Sequence, residues 1–332
     1  MKDVLSLQQG DYIGIFSPSS PITATCPKRF KRSKFFLENK GFNIIEGNLT
    51  GKYDYYRSGS IKARVNELNS LIKNPNIKCI MSTIGGMNSN SLLPYIDYEF
   101  FKKNPKIIIG YSDVTALLLG IYAKTGIITY YGPALVASFG ELEPFVSVTY
   151  NYFKDTIVDK NERKFPYKIE NPKFWTDEMI DWEKQNRSKK CFENKLITVY
   201  PGKVKGRLIG GNLNTIQGIW GSEYMPEIKK GDILFIEDSL KDAQTIERSF
   251  AFLKLCGVFD KISGVILGKH ELFDDLGCKK RPYEILLEIL DNKKIPFLAD
   301  FDCCHTHPMI TLPIGGEIEL DATNQSVTLL KY

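Results

Sequence analysis

The segment Gly110-Tyr111-Ser112-Asp113 places a serine between a β-branched run and a strongly helical stretch. A turn of this kind lifts a hydroxyl above the edge of a sheet, and the helix N-terminus directs free N–H groups toward it. These features suit a nucleophile and the oxyanion that it generates. The alternative is a helix cap, in which Ser112 or Asp113 closes the first turn. Because Val114 stands where a GxSxG elbow has its second glycine, the motif alone favours the cap.

A serine nucleophile needs a base, and the chain has three histidines, His270, His305 and His307. His305 and His307 are two residues apart and could ligate a metal, but no third ligand is near them in sequence. Glu237 ends an apolar run, which is where the active sites of α/β proteins gather. Glu237 could orient a histidine base, or it could be an ordinary surface carboxylate.

The first half of the chain alternates between strand and helix patterns. Apolar runs predict strands at 12–16, 42–45, 77–81, 107–109 and 127–131, and helical spacing covers a basic stretch ending near Asn39, then 61–73 and 114–124. Such alternation indicates a parallel sheet covered on both faces. The second half predicts strands at 196–200, 203–209, 232–236, 262–267, 310–312, 317–320 and 326–330, with helices at 245–255 and 283–290.

Residues 154–195 differ from the rest of the chain. They are rich in charge, contain Pro166 and Pro172, and hold Trp175 and Trp182, two of the three tryptophans. The pattern predicts a long connection with one short helix over 176–185. It is either a plain interdomain linker or a functional loop.

Composition excludes several classes of protein. The 332 residues include 44 Lys and Arg against 39 Asp and Glu, a net charge of +5. With 43% hydrophobic and 25% charged residues, the chain is neither disordered nor collagen-like, and its length allows about two domains. Because the basic residues are scattered, we expect no nucleic-acid partner.

The expected compartment is the cytoplasm. The seven cysteines include no CxxC pair, which argues against zinc and for reduced thiols. The N-terminal segment has an acid at Asp3 and no apolar core, so we expect no signal peptide. The most apolar stretch, 114–123, is too short to span a membrane, and no membrane partner is expected.

Four motifs together resemble the LD-carboxypeptidase family of serine peptidases along nearly the whole chain. They are Gly110-Tyr111-Ser112-Asp113, Gly210-Gly211-Asn212-Leu213, Phe235-Ile236-Glu237-Asp238-Ser239 and the segment from His305 to Gly315. The run Ile84-Gly85-Gly86-Met87-Asn88 and the tryptophan-bearing loop are similar to the microcin C immunity (MccF-like) branch. Murein LD-carboxypeptidases typically have a shorter loop and an arginine-rich stretch around the Gly-Gly turn.

The resemblance implies a Ser-His-Glu triad. Ser112 would be the nucleophile, His305 the general base, and Glu237 the group that holds and stabilises the imidazole. The backbone N–H groups of Gly86 and Asp113 would form the oxyanion hole.

The resemblance also implies substrate-binding residues. Asn214 and Lys241 would bind the acidic part of the substrate. Trp182 would stack on a nucleobase, with Trp175 as the competing candidate. His307 would be a neighbour of the site, with contact to the substrate as the less favoured alternative. Cys304 stands where the family usually has glycine, and it either alters the backbone turn or fills space.

The implied fold is an N-terminal Rossmann-like parallel α/β domain over 1–160, a linker and substrate-binding loop over 161–195, and a smaller β-rich C-terminal domain over 196–332. The active site would lie at the interface of the two domains. The resemblance further implies a homodimer that needs neither a metal nor an organic cofactor.

The implied activity is hydrolysis of the bond between an aminoacyl or peptidyl group and a nucleotide, as in detoxification of microcin C. One alternative is a murein LD-carboxypeptidase that cleaves an L,D-peptide bond in tetrapeptides. Another is a non-catalytic module that binds nucleotides or peptides in the same cleft.

Overall fold

The computed structural model describes residues 5–158, 165–291 and 293–332. Its strands, in chain order, are β1 (Tyr12–Phe16), β2 (Asn43–Glu46), β3 (Ile77–Ser82), β4 (Ile107–Gly110), β5 (Thr129–Tyr131), β6 (Tyr167–Lys168), β7 (Phe174–Trp175), β8 (Phe192–Glu193), β9 (Ile197–Tyr200), β10 (Lys203–Asn212), β11 (Ile233–Glu237), β12 (Gly264–Gly268), β13 (Phe297–Phe301), β14 (Leu312–Ile314), β15 (Glu317–Asp321) and β16 (Ser326–Lys331). Its α-helices are α1 (Ile22–Thr25), α2 (Pro27–Asn39), α3 (Ile61–Lys73), α4 (Tyr98–Lys103), α5 (Thr115–Thr125), α6 (Phe145–Ile157), α7 (Leu213–Gln217), α8 (Ala243–Leu255), α9 (Val258–Lys261) and α10 (Pro282–Leu290).

The first sheet has the strand order β14-β5-β4-β3-β1-β2. Strands β1 to β5 run parallel, whereas β14 joins the edge antiparallel to β5. The isoleucines of β4 are buried, as expected for a strand covered on both faces. The parallel α/β architecture predicted for the N-terminal half is therefore confirmed.

The second sheet has the order β6-β16-β15-β10-β11-β12-β13-β9. Strands β10 to β13 are parallel, and the flanking strands β9, β15, β16 and β6 are antiparallel. The C-terminal part is thus rich in strands, as predicted. It also holds two longer helices. In chain order, α8 lies between β11 and β12, and α10 lies between β12 and β13.

Local sequence explains where several helices begin. The Ser60 side chain accepts a hydrogen bond from the N–H of Ala63 at 3.2 Å and caps α3. Asp242 caps α8 in the same way, accepting from the N–H of Thr245 at 2.8 Å. Helix α3 coincides with the predicted helix over 61–73.

The predicted helix over 176–185 is wrong. Thr176 instead pairs with His307, with N–H···O=C bonds of 2.8 and 3.0 Å in the two directions. Asp181 accepts the N–H groups of Glu183 and Lys184 and forms a turn. Because these tertiary and local polar contacts occupy the backbone, helical spacing alone could not decide this segment.

Two strand pairings cross the predicted domain limits. β6, within 161–195, pairs with β16, and β14, within 196–332, pairs with β5 of the first sheet. The predicted boundary between 160 and 161 lies outside the described residues, and both this boundary and the one between 195 and 196 stay predictions. The pairing of β14 brings the segment after His305 back to the first sheet.

Candidate active site

Ser112 lies just beyond the carboxyl end of the parallel strand β4, with Tyr111 between them. Its backbone φ is +62°, in the left-handed region that costs a residue with a Cβ about 1–3 kcal/mol. Strain of this kind is typical of an exposed nucleophile on a sharp strand-to-helix turn. The sequence left a helix cap open, and no side-chain cap from Ser112 onto the described part of α5 is present.

Asp113 fixes the neighbouring glycine loop. Its carboxylate accepts the N–H groups of Asn88 at 3.1 Å and Ser89 at 2.9 Å. Its own carbonyl accepts the Ser89 hydroxyl at 2.6 Å. Burial raises the pKa of Asp113, and these hydrogen bonds act in the opposite direction. The acid therefore has a structural role beside the nucleophile.

The Gly85-Gly86 turn lies against Ser112. A Cβ on Gly85 would stand 2.9 Å from the Cβ of Ser112, and one on Gly86 would stand 2.3 Å from the Oγ of Ser19. Gly86 has φ +148°. Within the described chain, the N–H groups of Gly86 and Asp113 have no backbone or side-chain acceptor. Both would therefore be available to an oxyanion formed by attack of the predicted nucleophile, Ser112.

The partly buried His305 and the fully buried Glu237 form a pair. The imidazole Nδ1 lies 2.7 Å from Oε2 of Glu237, a short charge-assisted hydrogen bond. The ring of Tyr111 packs edge-on against the imidazole with centroids 4.9 Å apart. This arrangement fixes the ring and leaves Nε2 as the nitrogen that can serve Ser112.

Glu237 is fully buried, and its second oxygen has two donors. Oε1 accepts the Tyr131 hydroxyl at 2.5 Å and the Asn212 amide at 3.0 Å. Burial raises the pKa of Glu237, but His305 and the hydrogen bonds outweigh it and bring this pKa below its ordinary value. The carboxylate is therefore ionised at neutral pH.

The three histidines differ in the pKa of their imidazoles. Burial disfavours the imidazolium of His305, but Glu237 opposite it raises the pKa of His305 above its ordinary value. Burial lowers the pKa of His270 to about 4. Burial, with Lys189 nearby, lowers the pKa of His307 well below its usual range. Of the three histidines, only His305 is therefore poised to exchange a proton near neutral pH.

The pH dependence should report this proton. His305 acts as a base only when neutral, so kcat/KM should fall as pH decreases through a midpoint above about 6.5. The profile of kcat/KM between pH 5 and 9 measures this midpoint. Burial raises the pKa of Asp238, also in the cavity, to about 6. An Asp238→Asn variant should keep the limb, and a limb that vanishes in that variant would contradict the assignment.

One cavity of about 710 Å³ contains Ser112 and His305 in its wall. The predicted residues Gly86, Asp113, Asn214, Lys241 and Trp182 also line it. The structure thus brings the predicted nucleophile, base, oxyanion donors and three of the four predicted binding residues to one space. Glu237 stands behind His305 and outside the wall.

Trp182 and Trp175 lie in different surroundings. The guanidinium carbon of Arg29 is 4.3 Å from the centroid of the Trp182 ring. Arg29 is buried and donates to Glu141 at 3.0 Å and to the Gln185 side chain at 2.6 Å. These contacts tie the tryptophan loop, the segment that holds Trp182 and Gln185, to helix α2.

Trp175 is not among the described residues that line the cavity. It packs against Phe192 with centroids 6.0 Å apart and against the Lys269 ammonium at 5.4 Å from the ring centroid. Its position is that of a packing residue.

Cys304 lies next to His305, the predicted base. It is buried, and its Sγ lies 3.0 Å from the Thr306 hydroxyl. Burial raises the pKa of Cys304 to about 12, so its sulfur is a thiol and not a thiolate at neutral pH. A nucleophilic role for this residue has no support.

The described residues contain neither a candidate metal site nor a membrane-spanning helix. No group of three or more His, Cys, Asp or Glu side chains there could hold a metal ion. No helix there is long and apolar enough to cross a membrane.

Three residues that support the candidate site were not predicted from the sequence. Tyr131 and Asn212 hydrogen-bond to Glu237, and Arg29 contacts the Trp182 ring, all from distant positions in the chain. Tyr131 ends a short strand and Arg29 lies in a basic helix, so nothing local marks either one. The Gly210-Gly211-Asn212 motif was visible, but the role of its asparagine depends on the pairing of β10 with β11.

Two family models match this chain: the LD-carboxypeptidase N-terminal domain over residues 13–132 and the LD-carboxypeptidase C-terminal domain over 205–320. The chain belongs to the LD-carboxypeptidase family. This membership confirms the resemblance, and each matched domain carries part of the site, with Ser112 in the first and Glu237 and His305 in the second.

Members of the family resemble the enzyme over nearly their full length. A putative carboxypeptidase of Vibrio cholerae is 57% identical over 98% of this chain and 96% of its own. The microcin C7 self-immunity protein MccF of Escherichia coli is 57% identical over 97% of this chain and 94% of its own. The solved structure of MccF with aspartyl sulfamoyl adenosine superimposes with a TM-score of 0.96 at 56% identity, covering 99% of this chain and 98% of the other.

Proposed function

We propose that this chain is a serine hydrolase that cleaves the bond between an aminoacyl or peptidyl group and a nucleotide, and so detoxifies compounds of the microcin C type. The observation that carries the proposal is one cavity in which Ser112, His305 and Trp182 share the wall, with Glu237 2.7 Å behind the imidazole. Similarity to a self-immunity protein solved with an aminoacyl sulfamoyl nucleotide supports the same substrate class.

The chemistry proceeds in two steps. His305 takes the Ser112 proton while Oγ attacks the acyl carbon, and the N–H groups of Gly86 and Asp113 stabilise the oxyanion. Collapse breaks the acyl–nitrogen bond, and His305 returns the proton to the leaving nitrogen. Water then hydrolyses the acyl-serine with His305 again acting as base, which releases the acid and restores Ser112.

The substrate's two ends would bind different residues of the cavity wall. Lys241 and Asn214 would bind an acidic acyl side chain through charge-assisted hydrogen bonds. The Asn214 N–H donates to Asp238 at 3.1 Å, which holds the start of α7 in place. Trp182 would stack on the base, since Arg29 and the loop contacts hold its indole at the cavity wall.

A panel of two substrates tests the proposal. Purified enzyme is incubated with aspartyl sulfamoyl adenosine or with a murein tetrapeptide, and the products are identified by mass spectrometry. Release of aspartate and sulfamoyl adenosine, with the tetrapeptide intact, is the expected result. Preferential release of the terminal D-amino acid would instead establish the murein LD-carboxypeptidase alternative. No turnover of either, with no covalent labelling of Ser112, would favour a binding module.

The two tryptophans should differ in their effect on nucleotide substrates. Loss of one stacking contact of roughly 1–3 kcal/mol predicts that Trp182→Ala lowers kcat/KM by roughly 5- to 150-fold, chiefly through KM. Trp175→Ala is the matched control and should leave KM within about twofold while lowering the unfolding temperature. Steady-state kinetics on aspartyl sulfamoyl adenosine separates the two, and a larger KM effect at Trp175 would reverse the assignment.

The same proposal includes a homodimer in the cytoplasm that acts without a metal or organic cofactor. Its partners would be small molecules rather than nucleic acid or membrane. Sedimentation of the purified enzyme at several concentrations measures the oligomeric state directly.

A further inference from the structure

The hydroxyl of Tyr131 lies between the main chain of Ser112 and the carboxylate of Glu237. It accepts the Ser112 N–H at 3.1 Å and donates to Oε1 of Glu237 at 2.5 Å. The side chain is fully buried, and burial raises the pKa of Tyr131, so the hydroxyl keeps its proton. Among the described residues this hydroxyl is the one group hydrogen-bonded to both the nucleophile residue and the acid.

The fold builds a place for this hydroxyl from both sheets. Tyr131 ends β5 and stands beside Gly110 of β4 in parallel register, so it flanks the turn that carries Ser112. From the second sheet, Gly211 of β10 approaches the ring closely. A Cβ at Gly211 would lie 3.2 Å from Cε2 of Tyr131 and 2.6 Å from the Cγ2 of Thr115. The motif glycine therefore leaves the room that the tyrosine needs.

The neighbouring asparagine completes the arrangement. The Asn212 N–H donates to the Thr115 hydroxyl at 3.0 Å, which joins β10 to the first turn of α5. Its side-chain amide donates to the same Glu237 oxygen as Tyr131. Two sheets are thus connected at the carboxyl ends of their strands, where Ser112 and Glu237 lie.

We propose that Tyr131 is a positioning residue that couples the strained backbone of Ser112 to the orientation and charge of Glu237, and through Glu237 to His305. Its acceptor lone pair holds the Ser112 N–H and thereby stabilises the backbone at φ +62°. Its O–H donation fixes the carboxylate plane so that Oε2 faces Nδ1 of His305. The hydroxyl touches neither substrate nor the transferred proton. The inference rests on the proposed serine hydrolase function, but not on the identity of the substrate.

The coupling has a definite sign. Donation from Tyr131 draws negative charge away from the Oε2 that faces His305. Removal of the hydroxyl leaves more charge on that oxygen, which stabilises the imidazolium and should raise the pKa of His305 further. His305 also faces Glu271 and Asp238, and the two other histidines lie within its electrostatic reach. The substitution leaves all four groups in place.

Tyr131→Phe tests the proposal with a readout that needs no natural substrate. The rate at which a serine-directed fluorophosphonate labels Ser112 is measured from pH 5 to 9 by intact mass. We expect a loss of about 10- to 100-fold at the plateau, because a buried hydrogen bond to a charged group is removed. We also expect the acid limb to move upward by about half a pH unit or more.

Tyr130→Phe is the matched control. Tyr130 is the adjacent buried residue of the same strand, and its ring packs on Tyr332 with centroids 6.2 Å apart, away from the triad. Its labelling rate and acid limb should equal those of the unmodified enzyme. Thermal unfolding of both variants shows whether each folds.

The outcomes distinguish a failure of the Tyr131 coupling from a failure of the proposed serine hydrolase function. A folded Tyr131→Phe variant with an unshifted limb, whatever its rate, would assign the tyrosine a merely structural role and overturn the coupling. A downward shift would overturn it too. Failure of the unmodified enzyme to label at Ser112 would instead contradict the serine hydrolase function itself.

Discussion

Ser112→Ala should lower the kcat for hydrolysis of aspartyl sulfamoyl adenosine by roughly 10⁵- to 10⁶-fold, the range expected when a triad nucleophile is lost. Alanine removes Oγ, so no acyl-enzyme can form. The backbone remains the same, and the N–H that donates to Tyr131 at 3.1 Å is kept. The fold and the KM for the substrate should therefore change little. Kinetics at high enzyme concentration and isothermal binding of the substrate give the two quantities separately.

The control for this variant is Ser70→Ala in helix α3, where the hydroxyl only donates to the carbonyl of Glu67 at 2.8 Å. It should keep full activity. Residual activity of Ser112→Ala above about one per cent of the unmodified enzyme, after contamination is excluded by mass spectrometry, would show that another group attacks the substrate.

Glu237→Gln should have the next largest effect, a loss in kcat of roughly 10³- to 10⁴-fold with the nucleophile still present. The carboxylate holds Nδ1–H of His305 at 2.7 Å and so leaves Nε2 free to take the serine proton. A glutamine amide offers an N–H at the same place and favours the opposite tautomer. Because the negative charge is also lost, the pKa of His305 should fall and the acid limb should move to lower pH.

The control is Glu319→Gln, which makes the same chemical change at a carboxylate that pairs with Lys203 at 2.7 Å and does not line the cavity. Activity there should equal that of the unmodified enzyme. If Glu237→Gln keeps more than about a tenth of kcat, or if its acid limb rises, the orienting role of Glu237 is wrong. Circular dichroism of both variants checks that the buried amide does not unfold the protein.

Two members of the proposed triad, Ser112 and Glu237, could be predicted from local sequence because each lies in a segment whose pattern is informative. Ser112 follows a β-branched run and precedes a helix, and Glu237 ends an apolar run, so both fall at carboxyl ends of strands. With three histidines in the chain, the choice of base was narrow. The family resemblance then selected His305, and the structure places it in contact with Glu237.

The tryptophan loop shows where prediction failed. Helical spacing over 176–185 gave the wrong local structure, because Thr176 pairs with His307, more than a hundred residues away in the chain. Local sequence likewise does not separate Trp182, which the family resemblance favours, from Trp175. The structure separates their surroundings, because Arg29, from a helix near the N-terminus, stands 4.3 Å from the centroid of the Trp182 ring.

The sequence alone determined the class of the fold, the alternation of strands and helices in the first half of the chain, and the residue types that could form a serine hydrolase site. These properties depend on periodicity and on residues close together in the chain. Only the tertiary structure decided that β14 returns to the first sheet, that Gly211 makes room for Tyr131, and that this tyrosine joins Ser112 to Glu237. The physical reason is that a buried hydrogen bond depends on the packing of two sheets, and packing brings together residues whose separation in sequence carries no pattern.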